Sequence, residues 1–289
     1  MERSFDDALG EDRVNWLFEA QGVSFTYPGG ITALRELSLR VPARRKVVFL
    51  GNNGSGKSTL FLHFDGILRP QKGVVFFRGK PIRYTRSGLR ELRRRVGIVF
   101  QDPDTQLFAG SVFQEVSFGP MNLSLPENEV RRRVEEALRT MNIETLKNRP
   151  VHFLSYGEKR RVAIADVLAM DAEVILFDEP TAYLDSRGVA EFLDIIERLY
   201  ENGKEILLAT HDVDFAYAFA DWVVVLEKGS IIAEGPAEEV FVDIEVLGGR
   251  NLRKPLLLEV TEVLRKKGYL GNVLPRRVET LAEALQERG

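Results

Sequence analysis

The stretch Gly51-Asn-Asn-Gly-Ser-Gly-Lys-Ser-Thr-Leu60 follows the apolar run Val47-Val-Phe-Leu50, and the apolar spacing from Thr59 to Leu68 predicts a helix behind it. It fits the pattern GxxxxGK[ST], set between a strand and a helix as that pattern requires. Glycines so spaced let backbone N–H groups turn inward around phosphate oxygens, while the next helix offers its positive N-terminal end. Asn52, Asn53, Gly54, Ser55, Gly56, Lys57, Ser58 and Thr59 are then the cradle of a nucleotide. Lys57 reaches its β- and γ-phosphates, and the Ser58 hydroxyl ligates Mg²⁺.

A second element completes such a site. Val174-Ile-Leu-Phe177 is an apolar strand that delivers Asp178 and Glu179 at its carboxyl end, where ligands of open α/β sheets bind. Asp178 suits the coordination sphere of Mg²⁺, and Glu179 suits the base that polarises an attacking water.

Around these motifs the pattern is that of a mostly parallel sheet with crossover helices. Leu17 to about Leu50 reads as strands joined by turns at Tyr27-Pro-Gly-Gly30 and Val41-Pro-Ala43. Strands return at Gly73–Gly79 and Arg95–Phe100. From about 102 to 170 helical patterns dominate, notably Asn128–Met141 and Glu158–Met170, and predict an inserted helical subdomain. Strand, helix and strand then alternate from Val174 to Gly229. Residues 1–16 read as a polar segment, 17–239 as the main domain, and 240–289 as a small extension with amphipathic runs at Leu256–Lys266 and Val278–Gln286.

Composition narrows the function classes. With 40 Lys and Arg against 43 Asp and Glu, the net charge of −3 gives no overall attraction to nucleic acid, which is not expected as a partner. No cysteine is present, so disulfides, thiolate metal sites and cysteine nucleophiles are excluded. The first sixteen residues lack the apolar core of a secretory signal, and the longest apolar runs are too short to span a bilayer. A membrane role would come through a partner.

Leu154-Ser-Tyr-Gly-Glu-Lys-Arg-Arg-Val162 resembles the signature sequence of ATP-binding cassette proteins, and the family's other markers follow in order. Tyr27 resembles the aromatic that stacks on adenine, although a tyrosine in such a place, taken alone, is more often a turn or core residue. Gln101, ending a strand, resembles the Q-loop glutamine, with an amide within reach of Mg²⁺ or the lytic water. Leu184-Asp185 resembles the D-loop. His211 resembles the switch histidine, a donor to the γ-phosphate acting with Glu179. The resemblance implies an α/β P-loop cassette with a β-rich N-terminal subdomain, a helical subdomain and ATP with Mg²⁺ as cofactors. It also implies that Ser155, Gly157 and Glu158 complete the nucleotide site of a second cassette in a head-to-tail dimer. Tyr156 and Tyr183 depart from the family pattern, each standing where a glycine or small residue is frequent.

Phe100-Gln-Asp-Pro-Asp-Thr-Gln-Leu-Phe108 and the following Ser111–Leu123 resemble the cobalt/nickel and energy-coupling-factor branch of the importers. That resemblance implies a transmembrane scaffold protein, a small substrate-capturing membrane protein and a location on the cytoplasmic face. Phe108, Val112, Phe113 and Phe118 are expected to be exposed and to form a groove for a helix of the membrane partner; each alone reads equally as core. Cobalt is the expected cargo, with nickel or a vitamin as alternatives, and no ligand cluster for the ion is visible in the chain. The extension reads either as a packed subdomain or as a device that holds two cassettes together. Rival readings are a soluble clamp on a macromolecule and a nucleotide-binding scaffold without turnover.

Overall fold

The computed structural model describes residues 15–242, 252–271 and 273–286. The polar segment expected over 1–16 lies outside these except for Asn15 and Trp16, and Trp16 opens the first strand.

Two sheets face each other across α1 (Lys57–Phe64). An antiparallel sheet has the order β2-β1-β4-β5, formed by β1 (Trp16–Thr26), β2 (Thr32–Pro42), β4 (Lys72–Phe77) and β5 (Lys80–Pro81). The central sheet has six strands in the order β10-β9-β3-β8-β7-β6. Its members are β3 (Val47–Leu50), β6 (Val96–Val99), β7 (Val174–Asp178), β8 (Glu205–Thr210), β9 (Trp222–Glu227) and β10 (Ser230–Pro236). All its pairings are parallel except that of β9 with β10.

Both faces of the central sheet are covered, so its strands read as continuous apolar runs. Alternation sends side chains to opposite sides. Val47, Phe49, Val174, Leu176, Leu207, Ala209, Val224 and Leu226 join one core with α1 and the antiparallel sheet. Val48, Leu50, Ile175, Phe177, Ile206, Leu208, Val223 and Val225 join the other, under the remaining helices. In the first core Phe64 stacks on Phe18 at 4.3 Å. A one-residue slip of any strand would exchange its two sets of partners, which fixes the register.

The helical stretch comprises α3 (Val112–Asn122), α4 (Glu127–Thr140) and α5 (Tyr156–Ala169). Ser111 caps α3 through its hydroxyl, satisfying a free N–H at its start. Between β5 and β6 runs α2 (Arg86–Arg93), which the sequence reading did not anticipate, as it did not anticipate β5 and β10. Arg90 donates to Asn122 O at 3.2 Å and to Ser124 Oγ at 3.0 Å, and Arg94 donates to Leu123 O at 3.1 Å. Cationic side chains on the free carbonyls of a helix C-terminus also suit its negative end.

Beyond the helical stretch come α6 (Ser186–Glu201), α7 (Val213–Phe219) and α8 (Ala237–Val242), then α9 (Leu256–Lys266) and α10 (Val278–Gln286). The boundary expected at 239/240 falls inside α8, whose Ala237, Val240 and Phe241 are buried in the core. Leu252 and Leu258 join the same core, Tyr217 Oη donates to Pro275 O at 3.1 Å, and Arg276 donates to Ala220 O at 2.6 Å. No described helix is long and apolar enough to cross a membrane.

Candidate active site

Strand order assembles the site. β8 lies between β3 and β7, with Leu50 paired to Thr210 and Asp178 to Ala209. The loop after β3, Glu179 after β7 and His211 after β8 therefore leave the same carboxyl edge side by side, the position that binds ligands in parallel sheets.

Close approach of the backbone dictates two glycines of the loop. A Cβ on Gly51 would lie 2.4 Å from Leu226 O of β9. Gly56 takes φ 109°, and a Cβ there would lie 2.7 Å from Ala33 O. Gly56 precedes α1, which has no side-chain cap, so its first N–H groups stay available to an anion. Asn52, Asn53, Gly54 and Ser58 are exposed at the loop surface, whereas Ser55, Lys57 and Thr59 are buried. The buried Ser55 Oγ has no hydrogen-bond partner.

Lys57 Nζ donates to Gly51 O at 2.6 Å and to Asn52 O at 3.2 Å, and it lies 3.2 Å from Glu179 Oε1. That last contact is a charge pair without an aligned hydrogen bond, since Oε1 has no hydrogen-bond partner. The other carboxylate oxygen, Oε2, accepts from His211 Nδ1 at 2.9 Å and from the His211 backbone N–H at 3.4 Å. Glu179 is thus fixed between a buried ammonium and a half-exposed imidazole.

Asp178 is buried, and burial raises its carboxyl above the usual range; the Glu179 charge adds to this, while the Ser58 hydroxyl and Lys57 oppose it. Its Oδ1 has no hydrogen-bond partner. A buried orphan carboxylate oxygen beside a serine hydroxyl is a hard donor set that fits Mg²⁺. Among the described residues no group of three or more His, Cys, Asp or Glu could hold a metal.

The other expected residues are placed less centrally. Tyr27 Oη hydrogen-bonds Thr59 Oγ1 at 3.1 Å and its ring meets Phe25 edge-on, so it stands beside α1 at the rim. Gln101 is exposed; its backbone oxygen accepts from Tyr156 Oη at 2.8 Å. Ser155, Gly157 and Glu158 do not join the site. Ser155 caps α5 in a reciprocal box, its N–H donating to Glu158 Oε2 at 2.7 Å, and Gly157 opens on empty space. Asp185, in the segment resembling the D-loop, caps α6 by accepting from Gly188 N at 2.7 Å.

The expected groove is corrected in part. Phe108 and Phe118 are exposed, with rings edge to face at 4.8 Å, and Met121 joins them. Val112 is fully buried and Phe113 packs against the core, because the register of α3 turns both inward. Sequence reasoning gave no role to Arg160, a residue of the signature segment itself that is buried. Its signal was position: it precedes Ala163, Ile164 and Val167 on the inward face of α5.

Residues 34–182 match the ABC transporter family. The chain belongs to that family. It is 47% identical over 252 residues to the energy-coupling factor transporter ATP-binding protein EcfA of Methanocaldococcus jannaschii, covering 87% of this chain and 90% of the relative. It is 46% identical over 268 residues to the cobalt import ATP-binding protein CbiO of Rhodobacter capsulatus, covering 92% and 96%. Among solved structures it resembles CbiO1 of Clostridium perfringens, part of the ABC transporter complex CbiONQ, with TM-score 0.72, 43% identity and coverage of 87% and 99%. It also resembles the ATP-binding cassette MJ0796 in a dimeric post-hydrolysis state bound to ADP and phosphate, with TM-score 0.69, 27% identity and coverage of 76% and 98%. The fold is the α/β P-loop cassette expected from the sequence, and the protein is an ATP-binding ATP hydrolase coupled to transport.

Proposed function

We propose that this chain powers an energy-coupling-factor importer for a transition-metal ion, cobalt first, as a head-to-tail homodimer on the cytoplasmic face of the membrane. The observation that carries the dimer is the separation of the signature from its own phosphate loop. Ser155 and Glu158 spend their hydrogen bonds on the cap of α5 and Gly157 faces open space, so the segment is finished internally and presents an uncovered surface. Dimeric cassettes among the structural relatives support the same arrangement.

Within each site Lys57 and the N–H groups of the loop and α1 bind the phosphates. Ser58 and Asp178, with Gln101, would hold Mg²⁺, which supplies charge neutralisation to the phosphates. Glu179 takes the proton of the attacking water, and His211 holds the carboxylate that does so. Ser155 and Gly157 act on the nucleotide of the opposite cassette. Phe108, Phe118 and Met121 are the surface offered to the transmembrane scaffold, with the substrate-capturing protein beyond it. Support for cobalt comes from the CbiO relative, and the ion is selected outside this chain.

Purification from native membranes in mild detergent, with mass spectrometry of the co-purifying proteins, tests the reading. A scaffold protein with a metal-type capture protein is the expected result. A vitamin-type capture protein would overturn cobalt alone, and recovery without membrane proteins would overturn the importer.

A further inference from the structure

Arg160 is 4% exposed and has no carboxylate within ion-pair distance among the described residues. A buried guanidinium without a counter-charge is costly, and a methionine would fill the inward face of α5 without that cost. Its donors are spent on main-chain carbonyls. It donates to Pro180 O, to Ala182 O at 3.3 Å, to Glu179 O at 3.4 Å and to Gln101 O at 3.3 Å. The Tyr156 hydroxyl reaches the same Gln101 carbonyl, and Arg160 lies over the Tyr156 ring at 5.5 Å.

The carbonyls belong to a strained turn. Glu179 has φ 45°, a conformation that persists in a residue other than glycine only where its surroundings hold it. Its N–H is held by Ala209 O at 2.8 Å, and its carbonyl by Ala182 N at 3.1 Å and by Arg160. The five-donor planar fork of arginine suits carbonyls from two separate segments, which the single ammonium of lysine does not.

We propose that Arg160, assisted by Tyr156, is a positioning residue for hydrolysis: it ties the backbone of Glu179 to that of Gln101 through the helix that begins at the signature segment. The inference rests on the assignment of Glu179 as the base. Arg160 touches neither the phosphate loop nor Lys57, so it acts on turnover and leaves nucleotide binding alone.

The full chain carrying Arg160→Gln, Arg160→Ala or Tyr156→Phe is assayed for steady-state ATP hydrolysis, ADP affinity by calorimetry and thermal midpoint. Arg160→Gln lowers kcat by roughly 10- to 100-fold, the effect of a displacement near 1 Å at the reacting groups, with KM and ADP affinity held within about threefold. Millimolar guanidinium restores part of kcat to Arg160→Ala, which a merely structural role would not produce. Tyr156→Phe, losing one hydroxyl, lowers kcat by roughly two- to tenfold. Wild-type kcat in Arg160→Gln overturns the proposal, as does a joint fall of kcat, ADP affinity and thermal midpoint without guanidinium rescue. Should the Arg160 variants not fold, wild-type kcat in Tyr156→Phe overturns it. Glu179→Gln runs as the control: retained turnover there defeats the base assignment, whereas its loss beside fully active Arg160 variants defeats the positioning role alone.

Discussion

Glu179→Gln should bind nucleotide more tightly than the unaltered chain. In the structure the Glu179 carboxylate is paired with Lys57, with Oε1 3.2 Å from Nζ, and both side chains are buried. Opposite charges at that distance attract by about 5 kcal/mol at an effective dielectric of about 20. Phosphates must take the ammonium over from the carboxylate while facing its negative charge. Glutamine keeps the volume and removes both obstacles. Only part of the gross figure is recovered, since Lys57 keeps Gly51 O at 2.6 Å and Asn52 O at 3.2 Å. A net gain of about 1–3 kcal/mol corresponds to roughly 5- to 150-fold in Kd. Calorimetry with ADP, at a protein concentration where light scattering reports monomers, separates this gain from dimerisation. Without nucleotide the same variant should melt earlier, because a buried ammonium has lost its anion. ADP affinity within twofold of the parent would refute the competition between Glu179 and phosphate.

Gly51→Ala places a Cβ 2.4 Å from Leu226 O, so β9 or the loop must move; ADP binding should disappear from calorimetry while circular dichroism retains the fold. Phe64→Ala removes a fully buried ring stacked on Phe18 and should cost about 3–5 kcal/mol in urea denaturation, whereas Phe108→Ala, 67% exposed, should stay within about 0.5 kcal/mol. Burial, with the Glu115 charge, raises the Asp166 carboxyl from 3.8 to about 7. The folded chain therefore holds that proton more tightly than the unfolded one, and stability falls as pH rises from about 4 to about 7. Asp166→Asn should flatten that slope and raise the urea midpoint at pH 8, with Asp65 and Glu234, also raised to about 7, keeping part of the slope.

The placement of the candidate segments was legible because each directly follows an apolar run. Glu179 and His211 could be read as following strands directly, Lys57 as opening the helix after a strand and its glycine loop, and those strands and that helix formed. What placed them together, the insertion of β8 between β3 and β7, is a property of pairing that no local pattern reveals. The same limit explains the groove. Apolar residues occur on both sides of α3, and its register, not its composition, buries Val112 while exposing Phe118. The β9–β10 hairpin had a readable signal in Lys228-Gly229, which takes φ 48° and 85° as a tight hairpin turn requires. α2 had almost none: Leu92 is its one buried apolar side chain, among arginines that carry its contacts outward. Arg160 was hidden because charge usually signals solvent, and here a buried helix face carries it.

The grip of Arg90 and Arg94 on the end of α3 has a mechanical meaning. Those three bonds are solvent-exposed, and water replaces such bonds at little cost. The sheet beneath them, interlocked on both faces, yields only at the cost of the whole domain. The bonds between α2 and the end of α3 are thus the part of this region that water can exchange first, while Val112 and Val116 hold α3 in the core it shares with the sheet.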